Sequence, residues 1–196
     1  MPTKIIGISG TNGAGKDTVG NILAQDFGYL FVSVTDVLRE EAKKRGFPAD
    51  RATLGKISAE WRRQQGLAVL VDKAIERYSG QIDQYRGLAM ASLRHPAEAE
   101  RVHELGGIVL WLDGEPQLRY SHIIKNAVNR DRAEEDNKSF EQFLTEERVE
   151  MSPSGDDATL NMSGVKIKAD FLIFNDFNGQ RKLMTEVAKK LNLPSA

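Results

Sequence analysis

Short apolar runs alternate with longer stretches of helical period along this 196-residue chain. Five of the runs read as strands: Lys4–Ser9, Tyr29–Val34, Arg86–Ala91, Ile108–Asp113 and Asp170–Phe174. The fourth is almost unbroken apolar sequence, as a parallel strand buried on both faces requires. Helices are expected between them. The first starts at Asp17 and stops at Gly28, and the second covers Val37–Lys44 with Thr35 or Asp36 as its cap. Arg51–Gln65, capped by Asp50, and Leu67–Tyr78 then form a helical pair ahead of the third strand. They suggest a helical insertion over about residues 35–80, beside the sheet. Pro96 opens a helix through Leu105, Pro116 opens one to about Val128, and Lys138–Glu150 carries another. Residues 129–137 are densely charged and lack an apolar period. Asp156–Ser163 adds a further turn, and a last helix ends near Leu191. No internal repeat is visible. This alternation predicts a single α/β domain, with a parallel sheet covered by helices on both faces.

The joint between the first strand and the first helix carries the strongest chemical signal. It reads Gly10-Thr11-Asn12-Gly13-Ala14-Gly15-Lys16-Asp17-Thr18. Glycines at this spacing let successive backbone N–H groups turn inward, and the start of the helix adds unpaired N–H groups and a positive dipole end. Lys16 brings a full charge to the outer phosphates of a nucleotide. Strand, glycine-rich loop, Lys and helix in that order make a phosphate-binding loop. The binding candidates are therefore Gly10, Asn12, Gly13, Ala14, Gly15, Lys16, Asp17 and Thr18. The strict motif has Ser or Thr directly after the Lys; here Asp17 stands there and Thr18 comes one later. The structural alternative is a glycine-rich turn that only caps a core helix. With the loop on the first of five strands, the expected fold is a P-loop three-layer α/β/α sandwich. Its ligands should bind at the carboxyl ends of the strands.

Composition narrows the classes. Hydrophobic residues make up 40% and charged residues 28%, and the formal net charge is -1. There is thus no chain-wide field for a nucleic-acid polymer or a membrane surface. The absence of cysteine removes disulfides, thiolate metal sites and thiol nucleophiles. No apolar run reaches membrane-spanning length, and the chain enters its first strand too early for a signal peptide, so a cytoplasmic location is expected. His95, His103 and His122 lack metal-ligand spacing and read as helix-surface residues. Trp61-Arg62-Arg63 could line an acceptor pocket, or Trp61 could be core with both arginines reaching outward.

Ser33-Val34-Thr35-Asp36-Val37-Leu38-Arg39 resembles the stretch that follows the second strand in adenylate kinases, and the order of elements resembles the nucleoside monophosphate kinase group over nearly the whole chain. The resemblance implies an ATP- and Mg²⁺-dependent phosphotransferase. Arg39, with Asp36 beside it, takes the place of the arginine that holds the acceptor phosphate. Arg94, after the third strand, takes the place of a second one, and Arg62 is a further acceptor-side candidate. Arg130 and Arg132 fall where a lid, about residues 129–138, closes over the transferring group. Asn178 and Gly179 fall where the family covers adenine. The family's strand-end Asp aligns with about Ala91, so its Mg²⁺-orienting carboxylate is missing; Asp17, with Thr18, is the expected substitute. The Gly-Lys-Asp-Thr variant also resembles loops of certain deoxynucleoside monophosphate kinases and phosphomevalonate kinases, and the pattern is similar to dephospho-CoA kinase-like archaeal relatives. A (deoxy)nucleoside monophosphate is the favoured acceptor and dephospho-CoA the alternative. A nucleotide-binding regulator with little turnover is the rival from another class.

Overall fold

The computed structural model describes residues 4–126, 138–152, 155–176 and 179–194. Arg130, Arg132, the charged segment around them and Asn178 lie outside the described residues. Five strands, β1 (Ile5–Gly10), β2 (Tyr29–Ser33), β3 (Gly87–Ala91), β4 (Ile108–Asp113) and β5 (Phe171–Phe174), form one parallel sheet in the order β2-β3-β1-β4-β5. Registers such as Ile8↔Leu110 and Ile8↔Ala91 put β1 at the centre.

The two faces of each central strand feed different cores. Val109 and Trp111 of β4, with Leu88 and Met90 of β3, face one layer of helices: α2 (Val34–Lys44), α3 (Arg51–Gln65), α4 (Val69–Ser79) and α5 (Pro96–Glu104). Leu110 and Leu112, with Ile6 and Ile8 of β1, face α1 (Lys16–Phe27) and the last helix, Gln180–Lys190. Burial on both faces explains why these strands are apolar without alternation. Between them in sequence lie α6 (Pro116–Asn126), α7 (Phe140–Met151) and α8 (Met162–Ile167), so the last helix is α9. The α3–α4 pair shares its core with α2 and β3 through Leu54, Ile57, Trp61, Leu70 and Val71.

Several local expectations are corrected. β2 ends at Ser33 and α2 begins at Val34, with Ser33 as an N-cap whose side chain makes no capping bond; Thr35 and Asp36 therefore sit inside the first turn. Val34 is 1% exposed, so burial of its side chain sets the start of this helix in place of a polar cap. The turn placed at Asp156–Ser163 is instead α8, whose cap is Asn161 accepting from the Gly164 N–H at 2.8 Å. His95 is not a surface residue. It is 6% exposed and caps α5, its Nδ1 accepting from the Ala97 N–H at 3.2 Å while Glu98 reaches back to the His95 N–H. Burial lowers its pKa below 6.5, with Glu98 opposing that shift. Trp61 is core, as one of the two readings had it, but Arg62 is 2% exposed and does not reach outward; only Arg63 does, pairing with Asp156.

Candidate active site

β1 delivers the glycine-rich loop to the carboxyl edge of the sheet, where the chain order reverses between β3 and β4. Gly10 leaves the strand at φ +139°, and a Cβ there would lie 2.0 Å from the Leu112 carbonyl oxygen. Gly15 adopts φ 96° as the N-cap of α1 and offers no side-chain cap. The first-turn N–H groups of α1 thus have neither an intrahelical acceptor nor a side-chain cap, the arrangement that suits an anion. The Lys16 ammonium donates to the carbonyls of Gly10 at 2.9 Å and Thr11 at 2.7 Å, holding it on the rim.

Three neighbours brace the loop from outside. The Thr11 hydroxyl donates to Asp113 Oδ1 at 2.8 Å, Asn175 Nδ2 donates to the Ala14 carbonyl at 2.9 Å, and Arg119 Nη1 donates to the Asn12 carbonyl at 2.9 Å. Burial alone would raise the Asp113 carboxyl, but the Thr11 hydroxyl, the Gly114 N–H, Arg119 and Lys166 together hold it below the usual carboxylate range. Arg119 is itself 3% exposed and is gripped by both oxygens of Glu147 on α7, so α6, α7 and the loop are tied at one guanidinium.

A cavity of about 550 Å³ opens in front of the loop. Asn12, Gly13, Gly15, Lys16, Asp17 and Thr18 line it from the loop and the start of α1, and Arg39, Arg51, Arg62, Arg94 and Glu150 line it from other elements. Val34, Leu38, Leu54 and Leu70 supply apolar wall, and Gly179 also borders the space. Gly10, Ala14 and Asp36 do not line it: Ala14 is buried in the core beside α1, and Asp36 pairs with Arg39 at 2.9 Å. Arg94 Nη1 lies 2.8 Å from Glu150, and Arg51 Nη1 donates to Glu150 and Glu146, both at 3.0 Å. Arg62 forms a buried pair with Glu98 at 2.7 Å, and its Nε has no hydrogen-bond partner among the described residues.

Asp17 Oδ1 is also buried and without a hydrogen-bond partner among the described residues. A carboxylate oxygen in that condition, on the first turn of a helix that lines the cavity, fits a site that a divalent cation completes. Among the described residues no cluster of three or more His, Asp or Glu side chains could hold a metal ion, so phosphate oxygens would have to supply the other ligands.

Asp113, Arg119, Arg51 and Glu150 were not singled out from the sequence. Asp113 had a signal, since it is the polar exit of the most apolar strand at the edge where ligands bind. The other three had none: Arg51 meets Glu150 across 99 residues and Arg119 meets Asn12 across 107.

A parallel 2-3-1-4-5 sheet with a glycine-rich loop after its central strand is the fold of the P-loop kinases. The chain belongs to the AAA domain family, whose pattern matches residues 9–141. It is 27% identical over 181 residues to a UPF0200 protein of Pyrococcus abyssi, covering 90% of each chain. It is 26% identical to a shikimate kinase of Trichormus variabilis, covering 75% of each. Among solved structures it resembles shikimate kinase from Acinetobacter baumannii in complex with shikimate (TM-score 0.58, 16% identity, 97% and 93% covered). It also resembles a gluconokinase from Sinorhizobium meliloti (TM-score 0.53, 17% identity, 97% and 92% covered). Among the described residues no helix is long and apolar enough to cross a membrane.

Proposed function

We propose that this protein transfers the γ-phosphoryl group of ATP to a small anionic acceptor, with a (deoxy)nucleoside monophosphate or another phosphate-bearing molecule as the favoured class. One observation carries the reading: the loop with Lys16, and the arginines Arg39 and Arg94, line the same cavity. The loop's N–H groups and Lys16 would take the ATP phosphates, and Arg39 and Arg94 the acceptor's anionic group. An acceptor oxygen then forms a bond to the γ-phosphorus as the bond to the β–γ bridging oxygen breaks, and ADP leaves. The phosphate oxygen of a nucleoside monophosphate is already deprotonated and requires no general base, whereas the hydroxyl of dephospho-CoA or shikimate would release its proton as the bond forms. The chain's task is positioning and electrostatic stabilisation of a charge-spread transition state. Asp17 and Thr18 would hold Mg²⁺, which neutralises phosphate charge when bound. Arg130 and Arg132 are proposed as lid residues on the resemblance alone, and residues 35–80 as the acceptor-binding insertion.

A second reading, a carboxylate acceptor such as shikimate, is favoured by the likeness to a shikimate kinase. Dephospho-CoA remains the alternative phosphate-bearing acceptor. The test is ADP release from ATP with each acceptor in turn: nucleoside monophosphates, dephospho-CoA and shikimate. Stimulation by one of them, lowered at least ~100-fold by Lys16→Met, is the expected result. ATP binding that no acceptor converts to turnover would instead favour the nucleotide-binding regulator.

A further inference from the structure

Two of the arginines that line the cavity already hold an anion of the chain's own. Glu150 sits in the last turn of α7 with its side chain 15% exposed. Its two oxygens serve different guanidiniums: Oε1 accepts from Arg51 Nη1 at 3.0 Å, and Oε2 pairs with Arg94 Nη1 at 2.8 Å. A phosphate that bridges two arginines uses its oxygens in the same way. Burial would raise this carboxyl, yet Arg94, Arg51 and, further off, Lys16 hold it below the usual range, so Glu150 is an anion at neutral pH. Arg51 has a second carboxylate in Glu146 at 3.0 Å; Glu150 is the one carboxylate seen on the Arg94 side chain among the described residues. The helix that carries Glu150 is pinned one turn earlier by Glu147, through Arg119, to the Asn12 carbonyl of the loop.

We infer that Glu150 determines acceptor specificity by occupying the acceptor-anion position: an incoming acceptor must take Arg94 and Arg51 from it. This rests on the reading that the arginines of this cavity receive the acceptor's anionic group. With Glu150 in place the two guanidiniums are already bridged, and a monoanion offers them nothing the chain does not. A dianionic phosphate brings more charge and more acceptor oxygens, and displaces Glu150 where a lone carboxylate does not. Glu150 thereby selects phosphate-bearing acceptors and keeps smaller anions off the arginines.

The experiment is calorimetric titration of inorganic phosphate into the full chain at fixed ionic strength, without ATP. Glu150→Gln keeps the shape and removes the charge, and it should tighten phosphate binding at least ~10-fold, because a like charge a few ångströms away is gone. Arg51→Gln in the Glu150→Gln background should return the affinity to the wild-type level, which places the anion here and not on the glycine-rich loop. Phosphate binding that is unchanged or weaker in a Glu150→Gln protein with wild-type melting temperature overturns the inference, and so does tightening that Arg51→Gln fails to reverse. If Glu150→Gln does not fold, Glu150→Ala is read by the same criteria. The readout needs no turnover, so it is separable from the kinase reading. Tighter, Arg51-dependent phosphate binding in a protein that phosphorylates nothing leaves the anion site standing and sinks the kinase. Turnover with unaltered phosphate affinity does the reverse.

Discussion

Replacing Glu98 by Gln tests how the cavity wall at Arg62 is built. Glu98 is fully buried and meets donors on both oxygens. Oε1 accepts from Arg62 Nη2 at 2.7 Å, and Oε2 accepts from the backbone N–H groups of Arg94 at 2.7 Å and His95 at 3.2 Å. A Gln of the same shape has one oxygen and one NH₂. Whichever way the amide is turned, its NH₂ points at a donor, and Arg62 keeps a charge with no counter-ion in a buried site. Breaking one side of a buried ion pair costs roughly 3–5 kcal/mol. The remaining bonds of Arg62, to Ser58 Oγ at 3.3 Å and the Ala158 carbonyl at 3.2 Å, are long and give little relief, so the lower figure is the least to expect. For a chain of this size about 3 kcal/mol lowers the melting temperature by roughly 6–12 °C. The double variant Arg62→Met with Glu98→Gln lets the amide oxygen keep the two backbone donors and its NH₂ face space the guanidinium left. Its stability should recover most of the loss. Urea unfolding of the wild type, both single variants and the double variant gives the coupling energy. A Glu98→Gln protein within about 0.5 kcal/mol of the wild type, or additive single effects within that margin, refutes the reasoning.

Two further results are expected. Gly10→Ala places a methyl 2.0 Å from the Leu112 carbonyl oxygen at φ +139°, so it should cost about 3 kcal/mol or more in a thermal melt and abolish ATP binding; a stable variant that binds ATP contradicts the loop geometry. Stability should fall on acidification. Glu150 and Asp113, both held below their ordinary values of 4.5 and 3.8, contribute stability that is present above those values and lost as pH falls through the folded ones. His95 acts earlier: burial keeps it neutral while the unfolded chain gains a proton below 6.5, so urea midpoints should start to drop there, and a midpoint that rises between pH 6.5 and 5 is inconsistent with this.

The sequence alone determined the parts whose physics is local. The apolar run Ile108–Asp113 fixes a buried central strand, because only a strand covered on both faces can carry it. The spacing Gly10, Gly13 and Gly15 before Lys16 fixes the loop, because positive φ is cheap only for glycine. Arg39 and Arg94 were singled out through the resemblance to adenylate kinases, and both line the cavity. What lay across long sequence separations was decided by packing. No local pattern tells that Glu98 will bury Arg62 across 36 residues, that Asp113 will brace Thr11, or that α7 will bring Glu147 and Glu150 to the loop and to the arginines. Local sequence carries backbone preference and burial. The pairing of buried charges depends on which helices share a core, and the tertiary structure alone decides that.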